Sequence, residues 1–336
     1  MTKIDIFSGF LGAGKTTLIK KMISECYKGQ KLVLIENEFG EIGIDGGFMA
    51  DAGINVTEMN SGCICCSLVG DFSEALQKVA AEYNPDRIVI EPSGVGKLSD
   101  VIKAVMNANL DNAKLNAFCT VVDASKCKMY MKNFGEFFND QVQNASCIVL
   151  SHTAKSGYEK LRAAVNLLKE KNPNASFVTA NWDDVSGADI LATMEKKNSL
   201  QTDLDELSKQ LEDSHHHDHH GHHHCDDPNC DCHEHDHHGH HHGHHADEVF
   251  VSWGAETARV FTADELAFAL NELANEEKYG VILRAKGIVV GENAWLHFDY
   301  VPNEPDVREG RAGVTGRLCV IGCKLNEDAL KELFKI

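Results

Sequence analysis

A glycine-rich segment near the start of the chain, GFLGAGKTT from Gly9 to Thr17, constrains the fold more than any other feature. An apolar stretch precedes it and an amphipathic stretch follows it, which places it between a strand and a helix. Its spacing matches G-x-x-x-x-G-K-[ST], in which glycines let successive backbone N–H groups converge on phosphate oxygens at a helix N-terminus. The segment therefore predicts a phosphate-binding loop and a nucleotide site.

The loop predicts roles for particular side chains. Lys15 is expected to reach the β- and γ-phosphates, and the Thr16 hydroxyl is expected to ligate Mg²⁺. RIVIEPSG supplies the second acidic group, Glu91, at the end of an apolar run, and Gly94 can sense a γ-phosphate through its N–H. Lys15 and Glu91 are thus the predicted catalytic residues. The predicted nucleotide-binding residues are Gly9, Gly12, Ala13, Gly14, Lys15, Thr16, Thr17 and Gly94.

Short apolar runs alternate with amphipathic stretches from Ile4 to about Ala180. This alternation is typical of parallel βαβ units, and runs rich in Val, Ile and Leu suit strands covered on both faces. We therefore predict an α/β domain with a doubly wound, mostly parallel sheet over residues 1–200. The runs are IDIFSG, KLVLIE, DRIVIE, AFCTVVD, SCIVLS and ASFVTA, and the helices include Lys15 to Cys26 and Ser73 to Glu82.

A second globular segment is predicted at residues 248–336. EVFVSW indicates a strand, and Thr262 with Glu265 three residues later indicates a capping box that opens the helix TADELAFALNELANEE. GVILRAKGIVV and AWLHFDYV form a strand pair turned by GEN, GRLCVIGCKL forms another strand, and Asn326 caps the last helix. These elements predict a smaller α+β domain at the C-terminal end of the sequence.

Three cysteines packed into four residues, Cys63, Cys65 and Cys66 in GCICC, predict transition-metal binding. They are too close to pair with one another in ordinary geometry, and soft thiolates suit Zn²⁺, Cu⁺ or Co²⁺ far better than Mg²⁺. A structural zinc site or an accidental cluster is one alternative, and a redox dithiol is another that fits the C-x-C-C spacing poorly. Three thiolates need a fourth ligand, and ENEFGEIGID, at the expected position of a nucleotide-responsive switch loop, supplies Glu36, Glu38, Glu41 and Asp45.

The net charge of −19 is concentrated between Asp203 and Glu248, where 13 Asp and Glu accompany one lysine. The same region carries 17 of the 19 histidines, from His215 to His245, together with Cys225, Cys230 and Cys232. With almost no apolar residues, residues 201–247 are expected to form a disordered linker unless metal organises them. Many weak, overlapping imidazole sites indicate metal buffering and not one specific site.

Other features exclude whole classes of function. The chain is acidic and has no basic stripe, which argues against binding of nucleic acid or anionic lipid. No apolar run approaches the roughly 20 residues of a membrane span, and Asp5 interrupts the first apolar stretch, so a cytoplasmic location is expected. Cys119 and Cys147 lie in apolar strand-like runs and are expected to be buried as small hydrophobic residues. Cys319 and Cys323 share strand parity, so a same-face pair stays open beside core packing, which is favoured.

The motif that selects guanine in many GTPases is missing. GTPases usually carry N-K-x-D after a later strand, where the Asp pairs with the guanine edge. At the matching place, after CIVL, the chain has Ser151-His152-Thr153-Ala154. The carboxylate is absent, so this motif does not distinguish GTP from ATP.

Taken together, these motifs resemble those of the CobW/YjiA family of metal-handling GTPases, which belong to the SIMIBI class and have UreG and HypB as more distant relatives. The resemblance implies GTP with Mg²⁺, and zinc or, next, cobalt as the metal. It implies that Glu91 is the Walker B acid, and that Glu36 and Glu41 are metal ligands beside the C-x-C-C cysteines. The resemblance rests on GFLGAGKTT, ENEFGEIGID, GCICC, VIEPSG, VVDA and RAKGIVV.

The function implied by the resemblance is that of a metallochaperone that couples GTP state to metal transfer to a client metalloprotein. The resemblance also implies a homodimer in the nucleotide-bound state. Two other classes stay open: a metal store with a regulatory nucleotide site, and a small-molecule kinase that uses the same loop. Deleting residues 215–245 would remove most of a store's metal capacity, and a kinase would need a substrate pocket that the sequence does not identify.

Overall fold

The computed structural model describes residues 1–37, 55–59, 69–110, 112–196, 249–313 and 315–336. Among the helices in these ranges, none combines the length and the apolar character that crossing a membrane requires. The described residues form two domains, each built on its own sheet.

The N-terminal domain contains a seven-stranded sheet in the order β3-β2-β4-β1-β5-β6-β7, and every neighbouring pair is parallel. This confirms the predicted α/β class. The strands are β1 (Thr2–Gly9), β2 (Leu32–Asn37), β3 (Asn55–Met59), β4 (Arg87–Glu91), β5 (Ala113–Asp123), β6 (Cys147–Ser151) and β7 (Ser176–Val178). The helices are α1 (Lys15–Glu25), α2 (Val69–Tyr83), α3 (Leu98–Asn107), α4 (Cys127–Asn133), α5 (Gly135–Gln143), α6 (Thr153–Ser156), α7 (Tyr158–Lys171) and α8 (Gly187–Met194).

Helices cover both faces of this sheet, as the doubly wound prediction requires. On one face, α1 and α8 bury Leu18 and Ile190 against strand residues that include Val89. On the other face, α2, α3, α5 and α7 build a larger core, in which Phe72 and Phe138 are almost fully buried. Because both faces are apolar, the central strands read in the sequence as continuous apolar runs.

Strand β3 was missed by the sequence analysis. Within the described part of the chain it lies at the edge of the sheet and pairs with β2. An edge strand does not need an apolar residue at every position, and NVTEM has no continuous apolar run. The pattern that identified its neighbours is therefore absent from β3.

The C-terminal domain contains a sheet in the order β12-β11-β10-β13-β8, all antiparallel, with the short β9 paired to β10. Its helices pack on one face of the sheet around Leu270, Phe298 and Leu330, which confirms the α+β class. The strands are β8 (Val251–Thr257), β9 (Val260–Phe261), β10 (Val281–Gly291), β11 (Trp295–Val301), β12 (Glu304–Gly310) and β13 (Gly316–Cys323). The helices are α9 (Ala263–Glu272), α10 (Glu276–Tyr279) and α11 (Glu327–Phe334).

The predicted helix caps are confirmed, with one difference in length. Thr262 and Glu265 form both hydrogen bonds of the capping box at the start of α9, and the Asn326 side chain caps α11. The stretch predicted as one helix from Thr262 is divided, because the Asn275 side chain accepts from Lys278 N and starts a separate turn, α10. Strand β12 was missed because EPDVREG is a charged edge strand with few apolar residues.

One aromatic cluster joins the two domains. Phe250, at the start of the C-terminal domain, packs its ring 5.0 Å from that of Phe137, 5.7 Å from that of Phe134 and 6.2 Å from that of Phe10. Ring pairs of this kind contribute about 0.5–1.5 kcal/mol beyond the area that they bury. Phe10 belongs to the phosphate-loop sequence, so the loop is packed against both domains.

The four cysteines predicted to pack as small hydrophobic residues lie in or against the apolar cores. Cys119 and Cys147 are fully buried register partners on β5 and β6. Cys319 is buried in the apolar core that the two domains share, and the half-buried Cys323 packs against that core. Core packing is therefore confirmed for all four.

A buried ion pair between Asp5 and Arg87 ties β1 to β4 near the amino-terminal edge of the sheet. Arg87 also lies over the Tyr27 ring, 4.4 Å from its centroid, and Asn116 Nδ2 donates to Asp5 Oδ1 at 2.7 Å. Burial raises the pKa of Asp5 although Arg87 lowers it. Arg87 therefore offsets part of the cost of burying this carboxylate.

Replacing Arg87 with Leu should destabilise the fold by about 3–5 kcal/mol, because it leaves the fully buried Asp5 carboxylate without its cation. Urea unfolding followed by circular dichroism measures this change. Adding Asp5→Asn to Arg87→Leu should recover part of the loss, because the amide carries no charge. Arg162→Leu, on the exposed side of α7, is the matched control and should stay within about 0.5 kcal/mol. Equal effects at positions 87 and 162 would contradict this account.

Glu195 should make the stability pH-dependent. Burial favours its neutral form, but hydrogen bonds from Lys3 and Asn116 outweigh burial and lower the pKa of Glu195 below its ordinary value of 4.5. A carboxylate with a lowered pKa stabilises the fold above that value and loses the effect as the pH falls through the folded-state pKa.

Glu195→Gln should therefore cost about 1 kcal/mol at pH 7 and progressively less as the pH falls from 5 to 3. Unfolding free energies of the two proteins across this range provide the measurement. Glu170→Gln removes an exposed carboxylate from α7 and serves as the control. A Glu195→Gln cost that is constant with pH would rule out this linkage.

Candidate nucleotide-binding site

The phosphate loop has the conformation that its glycines predict. It joins the end of β1 to the start of α1, with φ of 70° at Gly12 and 97° at Gly14. Residues other than glycine rarely adopt these backbone angles. A Cβ at Gly12 would also collide with the Val301 side chain, and one at Gly14 would lie 3.2 Å from the Trp182 ring. Both glycines are therefore required by conformation and by close packing.

The side chains predicted to act on phosphate and Mg²⁺ lie together. Lys15 Nζ is buried and donates to the Gly9 carbonyl at 2.9 Å. Thr16 Oγ1 donates to Glu91 Oε1 at 3.0 Å, so the end of β4 meets the first turn of α1. A hydroxyl beside a carboxylate is an oxygen donor set that fits Mg²⁺, which prefers hard ligands and keeps several waters.

Gly94 packs against the phosphate loop, and Glu36 is the neighbour of Glu91 in the sheet. The Gly94 backbone packs against the loop so closely that a Cβ would be 2.9 Å from Leu11 N. Glu36, at the end of β2, is in register with Glu91 on β4 and is buried. Residues in register on parallel strands project to the same face of the sheet. Glu36, a predicted ligand of the transition metal, therefore lies next to Glu91, the acidic residue predicted for the Mg²⁺ site.

Most of the predicted transition-metal ligands lie outside the described residues. Of the predicted ligands in the switch segment ENEFGEIGID, the structure describes Glu36. The others outside the described ranges are Glu38, Glu41, Asp45, Cys63, Cys65, Cys66, and His215 to His245 with Cys225, Cys230 and Cys232.

A cavity of about 660 Å³ adjoins the loop, and the C-terminal domain forms its second wall. This volume lies within the range of small-molecule sites. No local motif predicted the second wall, because it forms only when the C-terminal domain packs beside the loop. The nearest sequence signal was RAKGIVV, which begins at Arg284. The phosphate-loop side contributes Gly12, Gly14, Lys15, Thr16, Thr17, Lys20 and Glu91, and the C-terminal domain contributes Arg284, Asp299, Val301, Asn303, Glu304, Pro305, Asp306 and Arg308.

An ion pair fastens this second wall to the N-terminal domain. Strands β11 and β12 are joined by a tight turn at Pro302 and Asn303, and Glu304 follows it. Glu304 Oε1 lies 2.9 Å from Lys126 Nζ, which lies 3.7 Å from Asp123 Oδ2. The turn is thus held over the phosphate loop by a charge pair between the domains.

His152 completes a cluster with two of these carboxylates. One donor atom from each of Asp123, His152 and Glu304 lies within 4.8 Å of the others, a spacing that could hold a metal ion. The Lys126 ammonium already lies between the carboxylates. These side chains therefore form a charged network between the two domains.

The indole of Trp182 lies between the phosphate loop and the end of β6, the strand after which the guanine-selecting motif is missing. Trp182 packs its ring against Gly14, and its Nε1 donates to the Leu150 carbonyl at 2.8 Å. His152, in place of the lysine of the N-K-x-D motif, occupies the N-cap position of α6 with a φ of 54°. Trp182 was missed because its contact with the loop is set by the tertiary fold.

Two family models match the chain. One, described as the CobW/HypB/UreG nucleotide-binding domain, matches residues 3–179. The other, described as the cobalamin synthesis protein cobW C-terminal domain, matches residues 250–335. The two matches coincide with the two domains of the structure.

Three curated proteins illustrate the similarity. The zinc chaperone YeiR of Escherichia coli is 29% identical over 65% of this chain and 64% of its own length. The zinc chaperone YjiA of Escherichia coli is 30% identical over 51% and 55%. The zinc-regulated GTPase metalloprotein activator 1 of Dictyostelium discoideum is 25% identical over 56% and 48%. The matches thus span between about half and just under two thirds of these relatives.

The ion pair between the domains should show measurable coupling. In a double-mutant cycle, Lys126→Met and Glu304→Gln should give a coupling energy of about 0.5–2 kcal/mol, because Lys126 is largely buried. Unfolding free energies of the four proteins provide the cycle. Lys132→Met, on the exposed side of α4, replaces Lys126→Met in a control cycle and should show no coupling. Zero coupling between positions 126 and 304 would mean that the pair does not fasten the turn.

Proposed function

The chain belongs to the CobW/HypB/UreG family, and we propose that it is a metallochaperone that hydrolyses GTP with Mg²⁺ and couples the nucleotide state to transfer of a transition metal. The contact between Thr16 Oγ1 and Glu91 is the observation that carries the proposal, because it assembles the Mg²⁺ ligands beside a phosphate loop. The names of the relatives, two zinc chaperones and a zinc-regulated GTPase metalloprotein activator, support zinc as the metal.

The nucleotide half of the mechanism follows from the loop. Its backbone N–H groups and the N-terminus of α1 bind phosphate oxygens. Lys15 exchanges its bond to the Gly9 carbonyl for the β- and γ-phosphates. Thr16 and Glu91 would hold Mg²⁺, and the ion would supply charge neutralisation at the phosphate oxygens.

The metal half uses the adjacency of Glu36 and Glu91. We propose that Cys63, Cys65 and Cys66 bind zinc, with cobalt next, together with Glu36 and Glu41. Because Glu36 is the register partner of Glu91, nucleotide and metal act on neighbouring strand ends. By linkage, each must change the affinity of the other by the same factor, typically 5- to 150-fold.

The remaining parts of the proposal concern the surroundings of the site. Residues 201–247 act as a linker that buffers metal through His215 to His245, between a GTPase domain at 1–200 and a C-terminal domain at 248–336. The recipient is a client metalloprotein in the cytoplasm, and the nucleotide-bound form is a homodimer. A metal store is the second candidate, and the concentration of 17 histidines in one segment favours it.

Hydrolysis of GTP and ATP should be measured with Mg²⁺, with and without stoichiometric Zn²⁺ or Co²⁺. Thr16→Ala should lower the rate on the order of 10²-fold or more, because it removes a Mg²⁺ ligand. Cys65→Ala should keep the basal rate and lose the response to metal. Cys26→Ala, at the end of α1, is the matched control for a thiol outside the cluster. A rate indifferent to Zn²⁺ and to Cys65 would exclude the coupling.

Deleting residues 215–245 distinguishes the chaperone from the store. A chaperone keeps one tight metal site and its hydrolysis, whereas a store loses most of its metal capacity. Metal stoichiometry and hydrolysis of the deletion variant, measured together, decide between the two.

A further inference from the structure

We propose that Arg308 of the C-terminal domain binds the γ-phosphate of a nucleoside triphosphate, so that both domains contribute to the nucleotide site. The inference rests on the proposed function in one respect, namely that a nucleoside triphosphate occupies the phosphate loop. Arg308 and Lys15 line the same cavity from opposite domains.

The wall formed by the C-terminal domain is packed tightly against the phosphate loop and the residues around it. Val301 packs against Gly12 with no space for a Cβ. Phe250 reaches the ring of Phe10 beneath the loop, and Lys126 binds Glu304 beside it. An apolar, a steric and an ionic contact therefore fix the end of β11 and the start of β12 over the phosphate position.

The cavity-facing part of this wall contains two acid–arginine pairs. Asp299 on β11 and Asp306 on β12 are direct cross-strand partners, and like charges in that position repel. Arg284 neutralises Asp299, with its Nη2 3.0 Å from Asp299 Oδ2, and Arg308 pairs with Asp306. All four residues line the cavity.

The two arginines differ in how firmly they are held. The Arg284 side chain is 19% exposed and makes two hydrogen bonds to Asp299. Arg308 is 52% exposed and Asp306 is 58% exposed. An ion pair as exposed as the second one is worth only about 0–1 kcal/mol. Arg308 is therefore the cation that can leave its carboxylate at little cost.

A phosphate is the stronger partner for this guanidinium. Arginine binds phosphate through two parallel charge-assisted hydrogen bonds, which are shorter and stronger than neutral ones. Once Arg308 moves, Asp306 remains half-exposed and can be hydrated. When Arg308 leaves Asp306 for the γ-phosphate, the C-terminal domain gains a contact that a nucleoside triphosphate offers and a diphosphate lacks.

The test is equilibrium binding of a non-hydrolysable GTP analogue and of GDP to the full chain, with Mg²⁺ and about 150 mM salt, which limits long-range charge effects to roughly 8 Å. Arg308→Ala should weaken binding of the analogue about tenfold or more and that of GDP less than about threefold. Arg308→Lys should fall between wild type and Arg308→Ala. Asp306→Asn should tighten binding of the analogue, because it releases Arg308.

Arg317→Ala is the matched control. Arg317 also forms an exposed ion pair, with Glu256, and it does not line the cavity. Its removal should leave both affinities unchanged. Unfolding midpoints of all variants verify that they are folded.

Two results would overturn the inference alone: no loss of analogue affinity in Arg308→Ala, or an equal loss for the analogue and GDP. An equal effect of Arg317→Ala would do the same, because it would reduce the effect to net charge. A wild-type chain that binds neither nucleotide would instead overturn the proposed function, and the inference with it.

Discussion

The burial of Phe10 is the contact on which the arrangement of the site depends. Its ring lies 4.6 Å from that of Tyr130 and 5.4 Å from that of Phe134, both in the N-terminal domain, and 6.2 Å from that of Phe250 in the other domain. A phosphate loop must hold its N–H groups in one conformation before the ligand arrives, and its own residues are mostly small. The aromatic cluster supplies the rigidity that glycines cannot supply.

The fold was predictable from the sequence where burial makes patterns simple. The central strands are covered on both faces, so runs such as DRIVIE and SCIVLS identified them, whereas the edge strands β3 and β12 carry no such run. Caps at Thr262 and Asn326 were predictable because a side chain bonds to backbone three residues away. These signals are local in the chain, and local patterns are what a sequence displays directly.

The residues of the candidate site likewise fall into two groups: those that a local motif predicts and those that depend on tertiary contacts. The phosphate-loop residues and Glu91 follow from motifs, and the structure brings Thr16 and Glu91 together as those motifs require. The contacts of Gly12 with Val301 and of Gly14 with Trp182 join distant parts of the chain. No periodicity or motif encodes them, so the wall formed by the C-terminal domain and the indole beside the loop could be found only in the folded chain.

The buried cysteines have a consequence for metal selectivity. Zinc binds the thiolate, and burial raises the pKa of Cys119 well above its ordinary value and that of Cys127 to about 12. Cys147, buried beside Cys119, is equally sealed from solvent. A chain with twelve cysteines therefore presents far fewer ligands than its composition suggests. Because these three thiols are buried, and burial also raises the pKa of Cys119 and Cys127, the interior of the fold competes poorly for metal ions.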